Sequence, residues 1–295
     1  MIHFYQHWKL YLTISLTVIL TGLASIFMWG YAYSIDFVGG TNLEYRFSPV
    51  VEKASVQKRA EKIGVESPQI EWKSKEVVLI KSSVLNEKEE AAFRRDLESS
   101  LQTKITVIRT ETVGPVIGAE TLRKTAIAAS LAVVGILLYI AFAFRSFNYA
   151  ISAVIALVHD ILVVAGTYSI ISHFFGAELD ILFVTAILTT MAFSVHDTIV
   201  VFDQMREYTK QFGAGQAEEH ADRAVTTTMV RSLNNSFTIM FMLVALILLG
   251  GDTIRFFAVT LLIGTITGTY SSPFVSVPIA VWLEKRKEHN QQQTS

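Results

Sequence analysis

No cysteine occurs among the 295 residues, which excludes disulfides and thiolate chemistry. Charge is also scarce: Asp, Glu, Lys and Arg make up 17% of the chain against 51% hydrophobic residues. A soluble domain of this length needs far more charge to cover its surface, so the composition defines a multi-spanning membrane protein. The charges present nearly cancel, 25 basic against 26 acidic for a formal net of −1, and give no global attraction to nucleic acid. No glycine-rich loop runs into Lys-Ser/Thr, so a nucleotide-phosphate loop is absent. No paired nucleophile and base and no set of ligands with metal-site spacing is apparent. The sequence therefore reads as a non-enzyme without metal or organic cofactor.

Long apolar runs are what the chain does have. They fall at about 10–32, 124–144, 149–172, 179–203, 230–250 and 254–283, each reaching the roughly 20 residues that cross a hydrocarbon core. The first run exceeds a signal-peptide h-region and lacks a clear small-residue cleavage site, so it reads as a retained span. Six spans put both termini on one side. Lys9, Arg145, Arg206, Lys210, Arg223, Arg231 and Lys285–Lys287 lie near that side, whereas the opposite loops hold Glu178, Asp180, Asp252 and a single basic residue, Arg255. The basic bias places both termini in the cytoplasm. The layout is then 1–33 for the N-terminus and first span, 34–122 for an external domain with its junctions, 123–283 for spans two to six, and 284–295 for a cytoplasmic tail.

The external segment carries most of the charge. Thr41–Phe47 alternates as a strand, and Val56, Ala60 and Ile63 give Val51–Ile63 helical spacing. Strands at Gln69–Lys73 and Val77–Ser82, a helix at Glu87–Leu101 and a strand at Ile105–Ile108 complete a β-α-β-β-α-β order. That order predicts a small ferredoxin-like α+β domain, helices against one face of an antiparallel sheet. Asp36, Gly39 and Gly40 form the junction entering it, shaped by close approach or positive φ unless it is an ordinary turn. Gly114, Pro115 and Gly118 form the return.

Ionisable residues inside apolar helices are expensive at membrane depth and mark candidate ion or proton sites. Asp197, in FSVHDTIVVF, lies in the cytoplasmic half of span four; Asp160 lies near the middle of span three; Arg231 opens span five from the cytoplasmic side. Ser194 and Thr198 share a broad face with Asp197, and Arg231, Asn234, Asn235 and Thr238 repeat that spacing on span five. Two polar faces at matching depth line a hydrated path or build a shared hydrogen-bond network; a permanent structural salt bridge is the competing reading. His196 points roughly 100° away from Asp197 on an ideal helix and is either a proton shuttle or a hydrogen-bonded core residue, as is His159 beside Asp160. Gly250, Gly251, Gly264 and Gly268 fit a loop and close helix packing, and Pro273 and Pro278 are expected to bend or interrupt the last segment.

Five motifs in order, SIDFVGGTNLEY from Ser34, ETVGPVIGAE from Glu111, FSVHDTIVVFDQMRE from Phe193, RSLNNSFTIM from Arg231 and FAVTLLIGTITGTYSSPF from Phe257, give the chain its resemblance. It resembles the SecF-type members of the SecD/SecF protein-export family, within the resistance-nodulation-division superfamily. The resemblance implies a bacterial inner-membrane protein, a SecD partner supplying another six-span half, and work with the SecYEG channel on translocating unfolded polypeptide. It implies H+ as the coupling ion, with Na+ in some bacteria. Asp197 then corresponds to the ion-responsive aspartate, Arg231 to its basic neighbour, and Asp36, Gly39 and Gly40 to a hinge-like junction. The commonest family form has asparagine where this chain has His196. The competing functions are a small-molecule efflux subunit of the same superfamily and a structural assembly subunit without ion coupling.

Overall fold

The computed structural model describes residues 4–62, 68–144, 146–213 and 215–294. Ile63, Arg145 and the side chains of Ala60 and of residues 287–295 lie outside the described set. The chain divides into two compact units, one of residues 1–32 with 128–295 and one of residues 33–127.

In the smaller unit, a four-residue helix α2 (Ile35–Val38) precedes β1 (Gly40–Ser48), α3 (Lys53–Lys62), β2 (Gln69–Trp72), β3 (Val77–Ser82), α4 (Glu87–Leu101) and β4 (Lys104–Val113). The sheet is antiparallel with strand order 2-3-1-4, which is the split βαβ arrangement of a ferredoxin-like fold. Strand alternation sends Leu43, Tyr45 and Phe47 to one face, where Val78, Ile80 and Ile105 join them under Val56 of α3 and Phe93 and Leu97 of α4. Asn86 starts α4 with a capping box, its Oδ1 accepting from Glu89 N at 3.0 Å while Asn86 N donates to Glu89 Oε2 at 2.8 Å. Arg59 holds α3 to α4 through two 3.0 Å bonds to Asp96. The last strand is longer than Ile105–Ile108, because β1 keeps pairing with it out to Val113 across a bulge at Glu44/Tyr45.

The larger unit contains α1 (Trp8–Trp29), α6 (Phe147–Phe175), α7 (Ile181–Phe212), α8 (Ala217–Leu249), α9 (Asp252–Ser271) and α10 (Val277–Thr294), with the C-terminal part of α5 (Pro115–Ala143). Among the described residues, six helical stretches are long and apolar enough to cross a membrane, α9 and α10 together making the last of them. The charged stretch Gln204–Met229 between the fourth and fifth apolar runs is mostly helix: α7 continues to Phe212 and α8 begins at Ala217, their charged turns held by pairs such as Arg206–Asp203 and Arg223–Glu219. Pro273 interrupts the last α-helix, as expected, without ending the span. A π-helical turn over Ser272–Ser276 absorbs its missing N–H, and Val277 N donates to Ser272 O to carry the helix onward.

Small residues set the helix crossings, as expected where apolar burial gives no drive between helices in lipid. A Cβ on Gly22 of α1 would sit 2.7 Å from Gly166 Cα of α6. One turn along, Ser25 Oγ donates to Ser169 Oγ at 2.9 Å, and Ser169 Oγ donates to Gly30 O at 2.8 Å. On α9, Gly264 and Gly268 meet Thr190 and Ser194 of α7, with Cβ positions 2.5 and 2.9 Å from those residues' Cβ atoms. This is the close packing that the Gly264-x-x-x-Gly268 spacing predicts.

Candidate intramembrane polar site

Among the described residues, two carboxylates, Asp160 and Asp197, lie in the interior of the apolar runs, in different surroundings. Asp160, from the middle of α6, is 4% exposed. Its Oδ1 is 2.8 Å from His159 Nδ1, and its Oδ2 accepts from Ser271 Oγ at 2.9 Å and from Ser194 Oγ in a second, short bond. His159 Nε2 faces the Tyr270 hydroxyl at 3.4 Å. Three helices thus converge on one buried acid: α6 supplies the His–Asp pair, α7 supplies Ser194, and α9 supplies Tyr270 and Ser271. Gly268 makes this possible, because only a residue without Cβ lets α9 approach Ser194 so closely.

Asp197 stands one turn beyond Ser194 on α7. Its side chain is 15% exposed, and its Oδ2 accepts from Ser232 Oγ of α8 at 2.6 Å. It borders a narrow cleft with Asn235 and Ser236 of α8 and Thr265, Gly268 and Thr269 of α9. Thr269 Oγ1 donates to Ser236 Oγ at 2.7 Å, and Thr198, one residue after Asp197, has its Oγ1 2.9 Å from Ser272 Oγ of the π-turn. Among the described residues, the one group in ion-pair range of Asp197 is His196, whose Nδ1 is 3.7 Å from Oδ1. The imidazole itself is 71% exposed and points into an apolar groove lined by Ala132, Ile136 and Tyr139 of α5.

The structure brings together Asp160 with Ser194, and Asp197 with Asn235. It does not bring Arg231 to Asp197: Arg231 and Asn234 face outward from α8, and Ser232 occupies the place expected for Arg231. Residues one apart on a helix point about 100° apart, so the spacing that put Arg231 at the depth of Asp197 left open which residue of that turn meets it. Ser232, Ser271, Tyr270 and the π-turn hydroxyl of Ser272 were missed. The four hydroxyls within Tyr270–Ser276, around Pro273, were the available signal. The described residues include no group of three or more His, Asp or Glu side chains able to hold a metal ion.

At the junction, Asp36 N donates to Ser34 Oγ at 3.2 Å, starting α2. Gly39 has φ +77°, and a Cβ there would meet Pro115 Cα at 2.8 Å; a Cβ on Gly118 would in turn lie 2.9 Å from Gly39 N. The entering and returning chains are therefore clamped together, which decides for a shaped junction over an ordinary turn.

A bundle with a carboxylate on α7, a polar α8 and a glycine-spaced α9, with a ferredoxin-like unit inserted in its chain, is that of a multi-spanning membrane protein with an intramembrane polar site. Residues 94–286 match the family described as "Protein export membrane protein SecD/SecF, C-terminal". Protein translocase subunit SecF of Anaerolinea thermophila is 36% identical over 281 residues, spanning 92% of this chain and 91% of the relative. That of Thermobaculum terrenum is 37% identical over 289 residues, with coverages of 92% and 91%. Protein translocase subunit SecDF of Thermus thermophilus is 35% identical over 92% of this chain but only 37% of its own length. A crystal structure of SecDF from that organism, described as a translocon-associated membrane protein, superposes with TM-score 0.84 at 31% identity, covering 96% of this chain and 39% of that one. The chain belongs to the SecD/SecF family of protein-export membrane proteins and is a multi-pass membrane protein.

Proposed function

We propose that the chain is a SecF-type subunit of the Sec export machinery that uses an ion gradient, H+ before Na+, to assist late movement of translocating polypeptides. It would work with SecYEG and with a SecD partner supplying a second six-span half. The fused SecDF relative, of which this chain matches 37%, supports that pairing. So does α8: Arg231, Asn234 and Phe237 are exposed on a helix that must lie at membrane depth, and polar groups there need a polypeptide or water neighbour. The cytoplasmic concentration of Lys and Arg supports both termini inside the inner membrane and residues 34–122 outside.

The single observation that carries ion coupling is Asp197, mostly buried, held by one hydroxyl and by no Lys or Arg among the described residues. A neutral carboxyl is satisfied by Ser232, whereas an ionised one favours a cation. Arg231 adjoins Ser232, so rotating α8 by up to about 100° exchanges hydroxyl for guanidinium against Asp197. Proton exchange at Asp197 would then select between two packings of α7 and α8, and that difference would be passed to the ferredoxin-like unit. It would hold emerging polypeptide against backsliding. One charge crossing about 100 mV contributes about 2.3 kcal/mol, enough to shift a two-state equilibrium about 50-fold.

The test is export into vesicles reconstituted with the complete translocase, under proton and sodium gradients imposed separately. Wild type should be stimulated by the proton gradient, and Asp197→Asn should assemble but lose the stimulation. Undiminished stimulation in Asp197→Asn refutes the role of Asp197. Loss of assembly instead of stimulation points to a structural subunit.

A further inference from the structure

We infer that His159 and Asp160 form a second proton-holding station, distinct from Asp197 and one helical turn from it. Both side chains are almost wholly buried, at 5% and 4% exposure, and their facing atoms are 2.8 Å apart. The polar environment is all hydroxyl: Ser194 and Ser271 on Oδ2, and Tyr270 on His159 Nε2.

Charge bookkeeping then constrains the pair. The charged and titratable groups on every packed element are far away or acidic. On α1 they are Lys9 and Tyr11, both in its first turn. On α9 the charged residues are Asp252 and Arg255, 15 or more residues before Tyr270, roughly 23 Å at 1.5 Å per residue. On α10, Glu284 sits against Asn148 at 3.0 Å, and Asn148 is 12 residues, roughly 18 Å, from Asp160 along α6. On α7 the neighbour is Asp197, one turn past Ser194, with His196 turned outward. No Lys or Arg among the described residues offsets a net negative pair.

A neutral imidazole beside a carboxylate leaves one uncompensated buried charge, which is costly. One additional proton removes that cost in two equivalent ways. It makes an imidazolium whose Nδ1–H donates to Asp160 Oδ1, or a carboxyl whose O–H donates to Nδ1 while Nε2–H turns to Tyr270. In both forms Oδ2 accepts from two serines, so the observed geometry suits either, and the proton shifts along one short line between Oδ1 and Nδ1. Ser194 links the station to the helix bearing Asp197. This deepens the ion-coupling reading by adding a second site on the proton's route, but the site stands on its own geometry.

The test is pH-difference infrared spectroscopy of the full chain in lipid bilayers, with aspartate and histidine isotopically labelled in separate preparations. Beyond the bands common to every variant, which carry the other aspartates and histidines, wild type should show two pH-dependent signals, one lost in Asp197→Asn and another lost in both Asp160→Asn and His159→Gln. Having two routes to the second loss keeps the test decisive where one variant fails to fold. Difference spectra in which Asp160→Asn and His159→Gln remove nothing, and only Asp197→Asn removes a signal, overturn the station. A second signal lost as expected, with Asp197→Asn spectrally silent, upholds the station while the assignment of Asp197 fails.

Discussion

Gly268→Ala places one methyl at the contact on which the buried polar cluster depends. The new Cβ would lie 2.9 Å from Ser194 Cβ and 3.2 Å from its Cα. Carbon atoms rest at about 3.5–4.0 Å, so α7 and α9 must part by roughly 0.6–1 Å. Overpacking of this kind costs about 1–3 kcal/mol. The same separation stretches the Ser194 and Ser271 bonds that converge on Asp160 Oδ2 from two helices, so both cannot keep their length. Hydrogen bonds to an ionised group contribute about 1.5–3 kcal/mol each, and partial loss of one adds about 1 kcal/mol. Against this, alanine is a better helix former than glycine by about 1 kcal/mol. The net expectation is a loss of about 1–3 kcal/mol. Gly135→Ala on α5 is the matched control, since nothing lies within 4 Å of its Cβ position and only the propensity gain should appear. Unfolding of the full chain by SDS titration in mixed micelles reads both. Equal stability of Gly268→Ala and Gly135→Ala would refute the packing argument.

Three further outcomes follow from other parts of the molecule. Gly39→Ala combines a φ of +77° with a 2.8 Å approach to Pro115, and should lose about 2–4 kcal/mol; Gly30→Ala, with φ +67° and open space, should lose only about 1–2 kcal/mol. Protease protection of residues 33–127 in the full chain separates the first from wild type, and chemical unfolding measures the second. Tyr45 is buried and donates to Glu90 at 2.6 Å, and burial first, then that bond, raises its phenol above the usual value of 10.0. The folded state therefore holds the proton longer than the unfolded chain: Tyr45 contributes fully below about pH 10 and its contribution falls as pH rises further. Tyr45→Phe should cost about 1–2 kcal/mol at neutral pH and flatten the alkaline decline, as followed by unfolding across pH. Asn86→Ala removes the capping box of α4 and should lower stability by about 1 kcal/mol, measured the same way.

The six spans were legible because each carries a long apolar run, which hydropathy reads directly. Their ends were not: the last turns of α7 and the first of α8 are charged helix, indistinguishable from loop by hydropathy, and tertiary pairs such as Lys285–Glu218 hold them. The β-α-β-β-α-β order followed from strand alternation and the 3.6 period, while the length of β4 depended on pairing with β1, which no local pattern encodes. Gly264 and Gly268 announced themselves by their spacing, whereas Gly22 and Gly166 are single glycines whose meeting is a property of the crossing. Asp160 and Asp197 stood out as acids in apolar runs. What each one touches was hidden, because periodicity assigns faces within a helix but does not fix how two helices are rotated against each other. Ser232 in place of Arg231 is the outcome of that missing angle.

The most direct test of the coupling account is the rotation itself. The absence of cysteine allows spin labels at Glu207→Cys on α7 and Val230→Cys on α8, both exposed positions, in the assembled translocase. A turn of about 100° on a helix of roughly 5 Å radius carries a label about 8 Å. The account predicts two distance populations whose ratio follows the proton gradient in wild type and becomes fixed in Asp197→Asn. A single, unchanging distance in a wild-type complex whose export is being stimulated by the gradient would contradict it.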